Sequence, residues 1–337
     1  MTAKRETDKG RGWISVLAGM AGFGLALKAG WIFYSRRYID HHARLTGVIK
    51  ADQDTFDSPV AGKLHYYYAQ TGSRRPILIL HGLHMTAGAH DIRPIFEAFR
   101  GNHPVYAMDL PGFGGSEKTD RPYRPAMYQA AISDFLRERI GQPADVVALG
   151  GSCEFAAAAA KDNPQLFHSL VMIDPTGFQM PQTISPTAQG RLDEVHNLLY
   201  TLLAVPLWSR PIFDLFASRA HIMHFYRQRF EYGVPAELVD LAYASGHQPG
   251  AHFAPMVLLS GKLSNPRVRE EVYCSLKLPV LVLYDNAPGL RLDMLSQVAR
   301  ENASWSAQRL RRSRGMPHFD RPGETFLVMD QFWKKIG

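Results

Sequence analysis

The sequence predicts an α/β fold with a mostly parallel, doubly wound sheet, a helical insertion, and an apolar N-terminal helix of membrane-spanning length. Three observations carry this. Between residues 45 and 177, short apolar runs alternate with helical patterns, the rhythm of strands covered by helices on both faces. From 178 to 275 that rhythm stops and the chain reads as helices, before strand character resumes at Pro279-Val280-Leu281-Val282-Leu283-Tyr284. Finally, the run Ala144-Asp145-Val146-Val147-Ala148-Leu149 passes through Gly150-Gly151-Ser152 straight into a helix former with five alanines. With 337 residues, 46% hydrophobic and 20% charged, the chain has room for one well-buried domain plus an insertion.

The elements follow in order. Residues 1–12 are a basic flank carrying Lys4, Arg5, Lys9 and Arg11. Residues 13–34 form a 22-residue apolar stretch with one charge, Lys28, and aromatic residues at both ends. As a helix it would rise roughly 33 Å, enough for a bilayer core of about 30 Å. A single-pass membrane anchor in contact with lipid is therefore expected, rather than a cleaved signal peptide, whose apolar run would be shorter. Lys and Arg flank both ends, so the side of the membrane stays open. Residues 35–45 read as a basic link. Strands are expected near 46–50, 59–68, 76–80 and 104–108, with helices near 91–99 and 126–139. The core's first part, 45–177, then runs through strand 145–149, a helix beginning at Ser152, and strand Leu170–Asp174. A helical lid, 178–275, includes helices at Arg191–Ala204 and Ile212–Phe230, and 276–337 completes the core.

The formal charge of +7 is modest. Its second concentration, Arg309, Arg311, Arg312 and Arg314, reads as a solvated face or a contact for anionic headgroups. No nucleic-acid module accompanies it. Cys153 and Cys274 are the two cysteines, and a bridge between them would block the turn at Ser152, so none is expected. The sequence leaves the oligomeric state open.

The chemistry-bearing segments come in a fixed order. Arg75-Pro76-Ile77-Leu78-Ile79-Leu80-His81-Gly82-Leu83 ends a strand in His-Gly. Val105-Tyr106-Ala107-Met108-Asp109-Leu110-Pro111-Gly112-Phe113-Gly114-Gly115-Ser116 ends the next in a glycine-rich turn. Gly150-Gly151-Ser152-Cys153-Glu154 then has the layout of a nucleophile elbow, with Glu154 where a second small residue is expected. Together these segments resemble the α/β-hydrolase superfamily, serine-nucleophile type with an inserted lid, from about residue 45 to the C-terminus. The resemblance specifies a fold and names no substrate.

It implies Ser152 as nucleophile and the backbone N–H groups of Leu83 and Cys153 as an oxyanion hole. The family's usual histidine position, counted back from Pro322, falls on or near Gly315. His318 lies three residues later, and a shortened loop would bring it over the serine as the base. Asp285 is the expected acid, with Asp174 and Glu154 as alternatives. The implied reaction is cleavage of an ester or related acyl bond of a small, largely apolar substrate, with no metal and no organic cofactor. A competing reading is a binding or scaffold protein at a membrane that kept the fold and lost the triad. Glu154, the displaced histidine and the short acid loop favour it.

Overall fold

A computed structural model describes residues 28–180 and 186–337. Its centre is an eight-stranded sheet in the order β1-β2-β4-β3-β5-β6-β7-β8. The strands are β1 Asp52–Ser58, β2 Gly62–Ala69, β3 Ile77–Leu80, β4 Val105–Met108, β5 Ala144–Leu149, β6 Phe167–Ile173, β7 Val280–Tyr284 and β8 Trp305–Arg309. β1 and β2 pair antiparallel, and β2 is antiparallel to β4; every pair from β4 through β8 is parallel. The expected α/β core is thus present. The chain crosses β3 on its way from β4 to β5, and that reversal opens a crevice at the carboxyl ends of the strands.

Parallel strands buried on both faces need apolar side chains on both. β3 supplies them by alternation: Leu78 and Leu80 pack into one core layer, Ile77 and Ile79 into the other. Helix α1 (28–38) precedes the sheet, and α2 (Arg93–Phe99) packs on the second layer. On the first layer lie α3 (Pro125–Asp134) and α4 (Ser152–Asp162). Ala156, Ala157, Ala159 and Ala160 are buried, and their small side chains let α4 sit close against the strands. Between β6 and β7 come α5 (Pro186–Leu203), α6 (Ser209–Phe216), α7 (Arg219–Arg229), α8 (Ala236–Gly246), α9 (Phe253–Leu259) and α10 (Val268–Glu271). α11 (Leu295–Glu301), α12 (Pro317–Asp320) and α13 (Pro322–Ile336) complete the chain.

Three expectations need correction. The run 46–50 is not a strand: Gly47 adopts a left-handed φ of 72°, and Val48 and Ile49 bury themselves as a loop. The single helix expected at 212–230 is two, divided at Ser218, whose hydroxyl accepts the His221 N–H and caps α7. Among the described residues, no helix is long and apolar enough to cross a membrane. Most of the expected anchor, 13–27, lies outside the described residues, and 28–38 forms α1, which packs on the insertion. There Trp31 Nε1 donates to the Pro211 carbonyl at 2.7 Å, and Ser35 Oγ to Asp214 at 2.6 Å. Both cysteines are free.

Candidate functional site

The glycine-rich turn after β4 builds the scaffold of the site. Asp109 is fully buried, and its two oxygens accept the N–H groups of Ala89 at 2.8 Å and Gly115 at 2.9 Å. Gly114 must be glycine, because a Cβ there would lie 2.0 Å from Asp109 Oδ1. This hub pins a short 3-10 turn, Ala89–Ile92, against the strand ends. His81 serves the same scaffold: its Nδ1 donates to the Gly82 carbonyl at 2.7 Å, and its Nε2 accepts the Leu110 N–H at 3.0 Å.

A cavity of about 330 Å³ opens at the carboxyl ends of β3, β5 and β6. Its floor is Gly82, Leu83, Gly150 and Gly151; its walls include His84, Asp91, Asp174, Arg229 and Gly315. The sharp turn between β5 and α4 is made at Gly150, with φ +59°. This is the corner where an elbow presents its nucleophile, and the flanking small residues are Ala148 and Ser152, two before and two after. Gly150 has no side chain to present.

Ser152 does not occupy that corner. It is the first residue of α4, 0% exposed, and its hydroxyl donates to the Leu149 carbonyl at 2.9 Å while accepting the Leu149 N–H at 3.2 Å. The expected partners are also engaged elsewhere. His318 Nε2 donates to the Asp91 carbonyl at 2.6 Å, its Nδ1 is buried without a partner among the described residues, and burial pushes its pKa down to about 4. Burial opposes ionisation of Asp285, but Arg309 Nε at 3.0 Å and the Ser313 N–H at 3.1 Å hold it below the usual carboxylate range. No hydrogen bond joins any two of Ser152, His318 and Asp285. The Cys153 N–H is spent on the Gly150 carbonyl at 3.2 Å. With the turn at Gly150, the amide that follows it is Gly151, which faces Leu83 across the floor.

The alternatives are placed too. Asp174 ends β6 in a left-handed conformation, φ +46°, and lines the cavity. Its Oδ1 accepts the Asp285 N–H at 3.2 Å, while Oδ2 is buried without a partner among the described residues. Burial, reinforced by the Asp285 charge, raises its pKa to about 7. Glu154 is buried but outside the cavity lining; it accepts from Thr176 Oγ1 and, at 3.0 Å, from the Asn265 N–H. It ties α4 to the cavity wall and to the returning end of the insertion.

Three further cavity residues, His84, Asp91 and Arg229, and the fully buried Tyr226 bonded to Asp91 carry chemistry that the sequence reading did not single out. His84 Nε2 meets Asp91 Oδ2 at 2.7 Å, and Tyr226 donates its hydroxyl to Asp91 Oδ1 at 2.7 Å. His84 stacks on Phe225 with ring centroids 4.5 Å apart. The Arg229 guanidinium also lies over the Phe225 ring, 3.9 Å from its centroid, without a salt bridge among the described residues, and burial lowers its pKa. A signal was available: His84, His90 and Asp91 cluster within eight residues just beyond His81-Gly82.

The structure is similar to solved α/β-hydrolase folds. A membrane phospholipase A described as a bacterial virulence factor is 18% identical, with a TM-score of 0.64 over 98% of this chain and 99% of that one. A meta-cleavage product hydrolase from Pseudomonas fluorescens IP01 is 16% identical, with a TM-score of 0.62 over 84% of this chain and 98% of that one. A thermophilic esterase from Thermogutta terrifontis is 14% identical, with a TM-score of 0.59 over 85% and 99%. At these identities the likeness is one of fold. No curated protein sequence matches the chain. Residues 77–327, most of the chain and all of the cavity floor, match the family model for the alpha/beta hydrolase family, and the chain belongs to that family.

Proposed function

We propose that this chain binds a small carbonyl or ester compound in the cavity above Gly150 and has given up serine acyl-enzyme chemistry. The observation that carries the reading is the turn itself. Gly150 takes the nucleophile's corner, Gly315 stands in the base's loop position, and the Ser152 hydroxyl is consumed by Leu149. What remains supports binding: a preformed concave site in which Leu83, Phe225 and Met316 stand beside the polar His84, Asp91, Asp174 and Arg229. Arg229 and the Leu83 and Gly151 amides suit a ligand oxygen, and the helices between β6 and β7 suit a lid over it. A membrane location belongs to the same proposal. The apolar stretch 13–34 supports it, as do the outward rings of Phe33 and Tyr38, 62% and 65% exposed beside α1's docking site.

A second reading keeps hydrolysis, with water activated by the His84–Asp91 pair in place of a serine. The 2.7 Å contact between them at the cavity wall favours it. One experiment addresses both. p-Nitrophenyl esters from acetate to octanoate are incubated with wild type, Ser152→Ala and His84→Ala, and methyl ketones of similar length are titrated calorimetrically. The binding reading expects ketone binding that Arg229→Ala weakens and no turnover above buffer. Turnover lost in His84→Ala but kept in Ser152→Ala would establish the second reading. Turnover lost in Ser152→Ala would overturn both.

A further inference from the structure

We propose that His84, His90 and Asp91 form a site for one divalent transition-metal ion of the zinc type, its remaining coordination position facing the cavity beside Gly150. Candidate ligand atoms of the three side chains all lie within 4.8 Å of one another. His84 Nε2 is 2.7 Å from Asp91 Oδ2, and His90 Nε2 is 3.8 Å from Asp91 Oδ1. Ligands about 2.0–2.2 Å from a tetrahedral zinc lie roughly 3–4 Å apart, so modest side-chain adjustment brings the three onto one ion.

The independent observation is His90. It is 1% exposed, and among the described residues neither ring nitrogen has a hydrogen-bond partner. A buried imidazole with two orphaned nitrogens is costly and requires a partner that the protein's own atoms do not supply. Its orientation says where that partner sits. The Nδ1 edge faces Gly88, where a built Cβ would be 3.1 Å away, leaving Nε2 as the nitrogen on the Asp91 side.

Neighbouring groups fix the orientation of the three donors. Tyr226 orients the Asp91 carboxylate, Phe225 holds the His84 ring, and His318 grips the Asp91 carbonyl. Asp109 anchors the same turn through the Ala89 N–H. Two imidazoles and one carboxylate suit zinc, cobalt or nickel better than magnesium or calcium. Because His84 and Asp91 line the cavity and His90 lies behind them, the free position points at ligand, not at the core.

The test is equilibrium dialysis of the full chain against zinc, with cobalt(II) visible spectra as the readout of geometry. Wild type should bind one ion per chain and give the intense visible bands of tetrahedral cobalt. His90→Ala and His84→Ala should each weaken binding at least a hundredfold and remove the bands. Replacing the partly exposed pair His221 and His224 with alanine should change neither result. If His90→Ala fails to fold, His84→Ala, altered at the cavity wall, decides the matter. No binding by wild type, or equal binding by wild type and His84→Ala, overturns the site. None of these readouts requires turnover or ketone binding, so they separate the metal site from the proposed function.

Discussion

The hydroxyl of Ser152 donates to the carbonyl oxygen of Leu149 at 2.9 Å, closing the turn around left-handed Gly150. A serine used this way is part of the backbone's own accounting: it satisfies a carbonyl at the strand end and accepts the Leu149 N–H. Ser152→Ala should therefore cost about 1 kcal/mol of stability, the net worth of a typical hydrogen bond, read from the urea midpoint. Its ligand affinity should match wild type. Loss of affinity with unchanged stability would assign Ser152 to the cavity instead.

Asp174 gives the fold a pH dependence. Its pKa is about 7 in the folded chain, against the ordinary carboxylate range when unfolded. Between about pH 4 and pH 7 the folded state holds a proton that the unfolded state has released, so this group's contribution to stability falls as pH rises. Asp174→Asn removes the titration while tolerating the left-handed backbone. Its stability gain over wild type should be small near pH 4 and grow to roughly 4 kcal/mol by pH 8. Thermal melts across that range check this; a constant difference would contradict it.

Glu154 ties α4 to Thr176 and Asn265, and burial raises its pKa. Glu154→Ala leaves two donors without their acceptor, a loss of about 1–3 kcal/mol. Hydrogen exchange should accelerate near Asn265, where the insertion rejoins the core. Glu154→Gln keeps an acceptor without a buried charge and should restore most of the protection. Equal effects of the two variants would show that only the side chain's bulk matters.

The sheet was legible because buried parallel strands must be apolar throughout, and β3, β4, β5 and β7 stand out as short apolar runs between turn residues. Asp109-Leu110-Pro111-Gly112-Phe113-Gly114 was legible for a similar reason: only glycine fits beside the Asp109 carboxylate. The elbow was misread by two residues. Gly150-Gly151-Ser152 draws attention to the serine, while the turn needs a left-handed residue with small neighbours two places either side. Ala148, Gly150 and Ser152 meet that need, and a glycine at the corner leaves no chemical trace. His318 misled for the opposite reason, being a conspicuous imidazole whose role, holding the Asp91 carbonyl, depends on a contact across 227 residues. The cavity's polar wall was illegible because α7 delivers Tyr226 and Arg229 from the insertion, and no local pattern announces which face of that helix meets Asp91.

The central claim, that the nucleophile's corner holds glycine, is tested most directly by intact-mass analysis after exposure to a fluorophosphonate. Wild type and Ser152→Ala should both remain at their unmodified masses. In Gly150→Ser paired with Gly315→His, a hydroxyl stands on the cavity floor and an imidazole on its wall, the latter at a left-handed φ of +125° with its Cβ 3.2 Å from Ala287 Cβ. Among the described residues a Cβ at Gly150 meets nothing within 4 Å, and this double variant should gain one phosphonyl adduct. An adduct on wild type that Ser152→Ala lacks would contradict the account.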